Sequence, residues 1–249
     1  MVLSTGVRRW ALILAGTPLH PQWFSFRSKR ILYERSAKHA CGDVLDIGCA
    51  EAALRQRVSA ETRYVGLDYP QTARIGYDSR PDVFGDASKL PFRSATFDCV
   101  LLLDVLEHLC EPRVALSEIN RVVRPTGKLY LSVPCMYPLH DEPFDFQRLT
   151  AHGARHWIES AGLRLDCLEA RGAPGETAAL LTNIALARAL LRLARPAPAF
   201  IAPLLTPCAV LFLLVNLGGW LLGLLGRKDS LMPHSYWIVA SPDRQCEAL

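Results

Sequence analysis

The chain reads as an α/β protein: a seven-stranded, mostly parallel sheet with helices on both faces, plus a hydrophobic helical insertion before the last strand. Three observations predict this. From Asp43 onward, short apolar runs alternate with helix-length amphipathic segments, the pattern of strands joined by crossover helices. The first apolar run ends in a glycine turn, as in open α/β sheets that bind ligands at the carboxyl ends of their strands. Late in the chain, Pro196 to Gly226 contains no charged residue, and such a stretch is long enough to interact with a bilayer.

Residues 1–40 form a helical lead-in, broken at Thr17-Pro18 and His20-Pro21. Phe26, Ile31, Leu32 and Ala37 mark the apolar face of a helix over Ser25–Ala40 that covers a sheet edge or a ligand pocket. Residues 41–175 carry the core. Its strands are predicted at Asp43–Ile47, Tyr64–Leu67, Val83-Phe84, Phe97–Leu103, Lys128–Val133 and Leu163–Ala170, with helices at Ala50–Ser59, Glu111–Val123 and Ala151–Ala161. Val114, Ile119 and Val122 are taken as apolar positions of the second of these helices. Residues 176–228 form the insertion, and residues 229–249 return to the core with a seventh strand at 235–240.

Composition excludes some functions. A net charge of +4 on 249 residues, without a dense Lys/Arg cluster, gives no footprint for nucleic acid; it suits an anionic membrane surface or substrate. The eight cysteines include no C-x-x-C pair, so they read as buried small hydrophobes in a reducing compartment and no metal site is expected. Arg8-Arg9 precedes a short apolar run, Trp10–Ala15, which reads as a surface helix touching the domain or a membrane rather than a cleaved signal.

The chemistry concentrates in one ordered series. Val44-Leu45-Asp46-Ile47-Gly48-Cys49-Ala50-Glu51-Ala52 is a strand followed by a turn that lets a ligand approach the backbone. Asp68 ends the next strand, where a carboxylate accepts ribose hydroxyls. Gly85-Asp86-Ala87 and Leu90-Pro91-Phe92 follow the third strand. Phe97-Asp98 opens the fourth, Leu103-Asp104-Val105-Leu106-Glu107-His108 closes it, and Arg121-Val122-Val123-Arg124-Pro125-Thr126-Gly127 precedes the fifth. In order and spacing the series resembles the class I, Rossmann-like S-adenosylmethionine-dependent methyltransferases, in particular the type 11-like subgroup tied to bacterial polysaccharide and lipid pathways. The resemblance covers roughly residues 41–170. It implies S-adenosyl-L-methionine as cofactor. It further implies that Asp46, Gly48, Cys49 and Ala50 shape the turn around the methionine part, that Asp68 with Tyr69 binds the ribose, that Asp86 and Ala87 meet the adenine, and that Asp104 faces the cofactor. One departure stands out: the family's turn has further glycines where this chain has Ala50 and Ala52. A positive φ at Ala50 would cost on the order of 1 kcal/mol, so either the turn differs or cofactor affinity is modest. A nicotinamide-dinucleotide fold is the rival, but Gly48-Cys49-Ala50-Glu51-Ala52-Ala53 supplies only the first glycine of its G-x-G-x-x-G turn.

Methyl transfer from a sulfonium needs alignment and desolvation, and a base only where the nucleophile must lose a proton. The segment after the fifth strand, Pro134 to Thr150, gathers ionisable and aromatic residues, and its His140…Pro143-x-Asp145-Phe146-x-Arg148-Leu149-Thr150 spacing resembles a stretch of the same subgroup. His140 is the first choice as general base, with Asp145 as a second candidate; Asp145 and Arg148 alternatively form an ion pair that holds the loop. His108 reads as structural.

Phe200 to Leu225 is apolar and flanked by Arg188, Arg192, Arg195, Arg227 and Lys228. It lies between strands that neighbour one another in such a sheet, so both of its ends must return to one side of a membrane. A helical hairpin, re-entrant or interfacial pair on the cytoplasmic face is expected. The acceptor would then be membrane-resident or lipid-linked: a glycolipid, polysaccharide precursor, quinone or lipid. The alternatives are an apolar arm that makes a homodimer of a soluble methyltransferase, and a non-catalytic, membrane-tethered cofactor-binding scaffold. Gly219-x-x-x-Gly223 suits close helix packing under either placement.

Overall fold

The computed structural model describes residues 14–71, 81–193, 201–226 and 230–243. The expected helix at the very start, Cys246, and the flanking Arg195, Arg227 and Lys228 lie outside them. The chain divides into two compact units, one of Leu32–Ala170 with Ser235–Leu249, the other of Met1–Ile31 with Arg171–His234.

The first unit carries the sheet. Its strands are β1 (Asp43–Ile47), β2 (Arg63–Asp68), β3 (Val83–Phe84), β4 (Phe97–Leu103), β5 (Val123–Pro134), β6 (Leu163–Arg171) and β7 (Ser235–Pro242). Their spatial order is β3-β2-β1-β4-β5-β7-β6. The pairs β1–β2, β1–β4, β2–β3 and β4–β5 are parallel, and β5–β7 is antiparallel. The order reverses at β1, whose two neighbours are β2 and β4, so the loops after β1 and β4 part there and leave a crevice at the carboxyl edge.

Alternation of side chains places one core on each face. On one, Leu45, Val100, Leu102, Leu129 and Leu131 pack with Leu116 and Ile119 of helix α2 (Pro112–Val122) and with Ala154 and Ile158 of α3 (Ala151–Ser160). On the other, Val44, Cys99, Leu101 and Tyr130 meet Leu32 and Ala37 of α1 (Trp23–His39). Two helix faces differ from expectation. Phe26 and Ile31 are exposed while Leu32 and Ala37 are buried, and Val114 is exposed where Ala115 and Leu116 carry the contact. Cys49 and Cys99 are buried as expected, but Cys41, Cys110 and Cys167 are exposed.

The expected helix over Ala50–Ser59 is absent; those residues form successive turns. Ala50 and Ala52 have φ of 46° and 51°, and left-handed residues cannot propagate a right-handed helix. The amide of Ala52 instead donates to the Cys49 carbonyl, and that of Arg55 to the Ala52 carbonyl.

The amino edge of the sheet is clasped by ions. Asp43 opens β1 and accepts from Arg63 and Arg124, while Asp98 near the start of β4 accepts from Arg124 and from the Asp43 amide. Those hydrogen bonds hold Asp43 down to about 2, the one from Arg63 most of all. Gly127 is needed where β5 approaches β4: a Cβ there would lie 2.9 Å from the Asp98 carbonyl oxygen. Two motifs of the sequence series, Asp98 and Arg124-Pro125-Thr126-Gly127, therefore hold the foot of the sheet rather than a ligand.

In the second unit, α4 (Pro174–Leu193) and α5 (Ile201–Leu225) form an antiparallel pair. Gly175 meets Gly219 and Gly223 so closely that a Cβ on Gly219 would sit 2.3 Å from that of Ala179, while further along Asn183 donates to Asn216 at 3.0 Å. The Gly219-x-x-x-Gly223 face is thus used within the chain. Asn216 also donates to the Pro18 and His20 carbonyls, which satisfies a buried amide in an apolar helix. The opposite side of α5 is exposed and apolar, with Leu214, Leu221 and Leu225. Thr206–Leu225, with a mean hydropathy of 2.2, is the one stretch among the described residues long and apolar enough to cross a membrane.

Candidate functional site

The carboxyl edge gathers the residues that the sequence series singled out. β1 delivers Asp46 into a crevice also lined by Gly48, Cys49, Tyr33 and Leu103. Asp46 is 4% exposed, and the Tyr64 hydroxyl of β2 donates to it. Burial raises its pKa to about 7, the charge of Asp68 adds to the rise, and the Tyr64 hydrogen bond opposes it. A carboxylate held this close to neutrality is short of positive charge, which fits a cationic ligand.

The turn after β1 is built for close approach. Gly48 (φ +74°) packs against Val105, where a Cβ would come within 2.3 Å of a methyl carbon, and its amide donates to the Leu67 carbonyl of β2. Cys49 lies against Gly66, and burial pushes its thiol up to about 12, so it is a neutral packing group. Ala50 and Ala52 do adopt positive φ. The chain keeps the glycine-type turn and carries its strain in two alanines, as functional turns often do.

Asp68 ends β2 largely buried and accepts from the Tyr69 amide at 2.8 Å; the Tyr69 ring is exposed. Asp86 is exposed in the turn after β3 and accepts from the Ser88 amide and hydroxyl, beside buried Ala87. The neighbouring loop is held by Arg121, which donates to the Leu90 and Phe92 carbonyls, and by Glu118, which accepts from the Leu90 amide. Asp104 follows β4 at φ 55°. Its amide and carboxylate both bond Ser132 of β5, a partner the sequence did not point to. Asp46, Gly48, Asp68, Asp86 and Asp104 thus end or follow four parallel strands on one edge. A cationic sulfonium with a ribose and an adenine fits that donor set: buried carboxylate near the turn, carboxylates at the next two strand ends.

A second cluster lies after β4 and β5. The chain turns at Leu106–His108, a single 3-10 turn. The loop 137–149 docks on it through the Gln147 amide group, which donates to the Leu106 and Leu109 carbonyls, and through the Phe146 amide, which donates to the Glu107 carbonyl. Arg148 pins the loop from within, donating to both oxygens of Asp145 and to the Tyr137 and Pro138 carbonyls. Burial of Asp145 would raise its pKa, but the bonds from Arg148 and the His140 amide outweigh it and hold it down to about 2. Asp145 is therefore an ionised anchor, paired with Arg148 as in the alternative reading. His140 is brought beside Glu107 and His108, its ring 4.9 Å from that of His108. Glu107 is fully buried, and neither of its carboxylate oxygens has a hydrogen-bond partner; burial raises its pKa well above the ordinary carboxylate value. Burial also lowers the pKa of His108, against the bond to Phe144. The sequence reading gave Glu107 no role. The signal was present: β4 and β5 are neighbours, so an acid and a histidine after one and a histidine after the other must meet.

Comparison with known proteins agrees with this geometry. A family model described as a methyltransferase domain matches residues 45–131. A probable S-adenosylmethionine-dependent methyltransferase of Mycolicibacterium smegmatis is 31% identical over 153 residues, 57% of this chain and 60% of that protein. One from Mycobacterium tuberculosis is 31% identical over 44% of this chain and 42% of its own. A demethylmenaquinone methyltransferase of Renibacterium salmoninarum is 40% identical over 27% of this chain and 30% of its own. The chain spans less than two thirds of each of these relatives. Among solved structures, a [4+2]-cyclase, SpnF, aligns with a TM-score of 0.55 at 17% identity over 89% of this chain and 82% of its own. A protein of Pyrococcus horikoshii aligns at 0.50 and 16% identity over 94% and 98%. These two likenesses concern the fold.

Proposed function

We propose that this chain, whose residues 45–131 match a methyltransferase domain, is an S-adenosylmethionine-dependent methyltransferase of a membrane-resident or lipid-linked acceptor. The observation that carries the reading is the carboxyl edge of β1–β4, where a buried, charge-starved Asp46, a strained turn and the strand-end carboxylates Asp68 and Asp86 stand together. S-adenosylmethionine, when bound, supplies an electrophilic methyl group and leaves as a neutral thioether. Asp46 balances its positive charge, Asp68 and Tyr69 receive the ribose, and Asp86 with Ala87 receives the adenine. Where the acceptor is a hydroxyl, His140 takes its proton as the new oxygen–carbon bond forms, and Asp145 holds His140 through its amide at 2.9 Å.

The membrane assignment rests on the exposed leucines of α5 together with chain order. α4 and α5 lie between β6 and β7, neighbours in one sheet, and α4 carries Glu176, Arg188 and Arg192. We therefore place α5 in or against the cytoplasmic lipid surface as an interfacial element rather than a single span. The name of the Renibacterium relative makes a quinone one acceptor to try. The decisive experiment incubates detergent-purified protein with methyl-labelled S-adenosylmethionine and a membrane lipid extract. Label in the organic phase is expected; turnover confined to water-soluble acceptors would refute the acceptor class, and no turnover with any acceptor would leave a cofactor-binding scaffold. The exposed face of α5 also suits a second copy of the chain. Alkaline carbonate separates the two: full release from membranes together with a concentration-dependent mass in detergent-free buffer would favour the dimer.

A further inference from the structure

The fully buried Glu107 carboxylate is without a hydrogen bond on either oxygen. The free energy of an unpaired buried carboxylate is prohibitive unless it is neutralised or meets a cation. The nearby arginine, Arg148, is committed to Asp145 and to three backbone carbonyls, and also lies 3.2 Å from His140 Nδ1. What faces Glu107 instead are two imidazoles: His108 Nε2 and His140 Nε2 each lie 3.8 Å from its Oε1. That separation is too long for a hydrogen bond. It is close to the spacing of two ligands that share an ion at about 2.0–2.2 Å each.

The His108 tautomer suits an ion, and the surroundings of His140 permit the same one. His108 Nδ1 sits 2.5 Å from the Phe144 carbonyl oxygen, which can only accept, so the proton is on Nδ1 and the Nε2 lone pair is free. His140 Nδ1 lies 3.3 Å from the Pro138 carbonyl and from Asp145 Oδ2 and 3.2 Å from an Arg148 guanidinium nitrogen; that nitrogen already donates to Pro138 and Asp145, so Nδ1 can carry the ring proton and leave Nε2 to an ion. Carbonyl and carboxylate partners behind metal-bound histidines fix ring orientation in this way. The three ligand atoms lie within 4.8 Å of one another, so the widest pair needs to close by at most about 1.5 Å to share one tetrahedral ion.

We propose that Glu107, His108 and His140 bind a divalent first-row transition-metal ion through one carboxylate oxygen and two imidazole Nε2 atoms, with the remaining positions open to water or acceptor. Two nitrogen ligands favour zinc, manganese or iron(II) over magnesium, which prefers an all-oxygen shell. Ion binding stands apart from the methyl-transfer reading; its use in catalysis rests on it. With an ion bound, His140 is a ligand rather than the base. An acceptor hydroxyl at an open position of the ion would become more acidic and would lose its proton to water.

The test uses the untagged, chelator-stripped full chain in detergent and Co²⁺ as the probe. We expect saturable visible ligand-field absorption at one ion per chain, displaced by Zn²⁺. Glu107→Gln and His140→Ala, each folded by circular dichroism, should weaken it by on the order of a hundredfold or more, beyond the loss seen for second-layer partners. His152 and His156, exposed and four residues apart on α3, are the obvious adventitious pair. Absorption that survives Glu107→Gln but disappears in His152→Ala overturns the proposal, as does folded wild-type protein with no absorption. Calorimetry of S-adenosylmethionine on the same samples separates the readings. Intact cofactor binding without Co²⁺ binding sinks the ion site alone, and the reverse sinks the cofactor reading alone.

Discussion

Ala50→Gly should stabilise the protein, against the usual rule for Ala-to-Gly changes. Ala50 holds φ at 46° and Ala52 at 51°, a region that costs an L residue about 1–2 kcal/mol. Glycine removes that cost but adds about 0.5–1 kcal/mol of chain entropy to the unfolded state. The balance at half-exposed Ala50 is a gain of about 0.5 kcal/mol. Ala52 is 8% exposed, so its methyl group contributes up to about 0.8 kcal/mol of burial that glycine forfeits; Ala52→Gly should be neutral or slightly destabilising. Ala53 is absent from the positive-φ residues, and Ala53→Gly should cost about 0.5–1 kcal/mol. Urea midpoints at constant slope order the three variants. If Ala50→Gly is as destabilising as Ala53→Gly, the strain assigned to the turn is not there.

Other consequences can be measured directly. Asp68→Ala should abolish calorimetric binding of S-adenosylmethionine while leaving the fold intact; unchanged affinity would remove the ribose assignment. Asp46 is raised from 3.8 to about 7 by burial, and a cationic ligand favours its ionised form. Cofactor affinity should therefore rise with pH up to about 7, with proton release on binding below it. In the free protein the sign is opposite. The native state holds a proton that the unfolded chain has lost, so stability falls as pH rises from about 4 to about 7, and Asp46→Asn flattens that slope while weakening binding. A pH-independent affinity would contradict both halves. Gly219→Leu should disrupt the α4–α5 pair, where even one added Cβ meets Ala179 at 2.3 Å. A loss of at least about 1–3 kcal/mol is expected from such overpacking, read as earlier proteolysis between the two helices; protease resistance equal to wild type would argue against the pairing.

The sheet was legible because its strands are apolar runs bounded by turn residues, and a buried parallel strand has few other ways to be written. The Asp46–Gly48 turn and the strand-end aspartates were legible for the same reason: their roles follow from position at a strand end. The segment after the turn was not. Ala50–Ser59 has the composition of a helix, and nothing local says that two alanines are held at positive φ by the chain around them. Asp98 and Arg124 were read as members of a ligand series because they fall within it. Only the third dimension places them at the amino edge, where they clasp β1, β4 and β5. Exposed Val114 and Phe26 show the limit of apolar periodicity, since one helix stripe can be wider than the contact it makes. The Glu107–His108–His140 cluster needed the strand order: His108 and His140 are 32 positions apart in sequence, and the pairing of β4 with β5 brings them together.

The two edges of the sheet do opposite things, and one depends on the other. At the amino edge every charged group in the Asp43–Asp98–Arg63–Arg124 clasp has an opposite partner. Positive φ at a non-glycine residue occurs at both ends, at Ala95 before β4 and at Ala50, Ala52 and Asp104 after β1 and β4, but only the carboxyl edge adds a buried carboxylate near neutrality at Asp46 and an unbonded one at Glu107. Such features persist only where the surroundings over-determine them. β1 and β4 run from one edge to the other through a fully buried core, with Val44, Leu45, Val100, Leu101 and Leu102 at 0% exposure, so the clasp fixes the register in which the strained end is presented. Weakening the clasp should therefore be felt at the far end. Arg124→Ala removes no group from the crevice, yet it leaves Asp43 and Asp98 facing one another with one cation fewer. The reading expects lower stability together with a weaker pH dependence of cofactor binding, because a loosened β1 lets water reach Asp46 and brings its pKa back toward 3.8. A variant that loses stability while its binding curve keeps its midpoint near 7 would show that the two edges are independent.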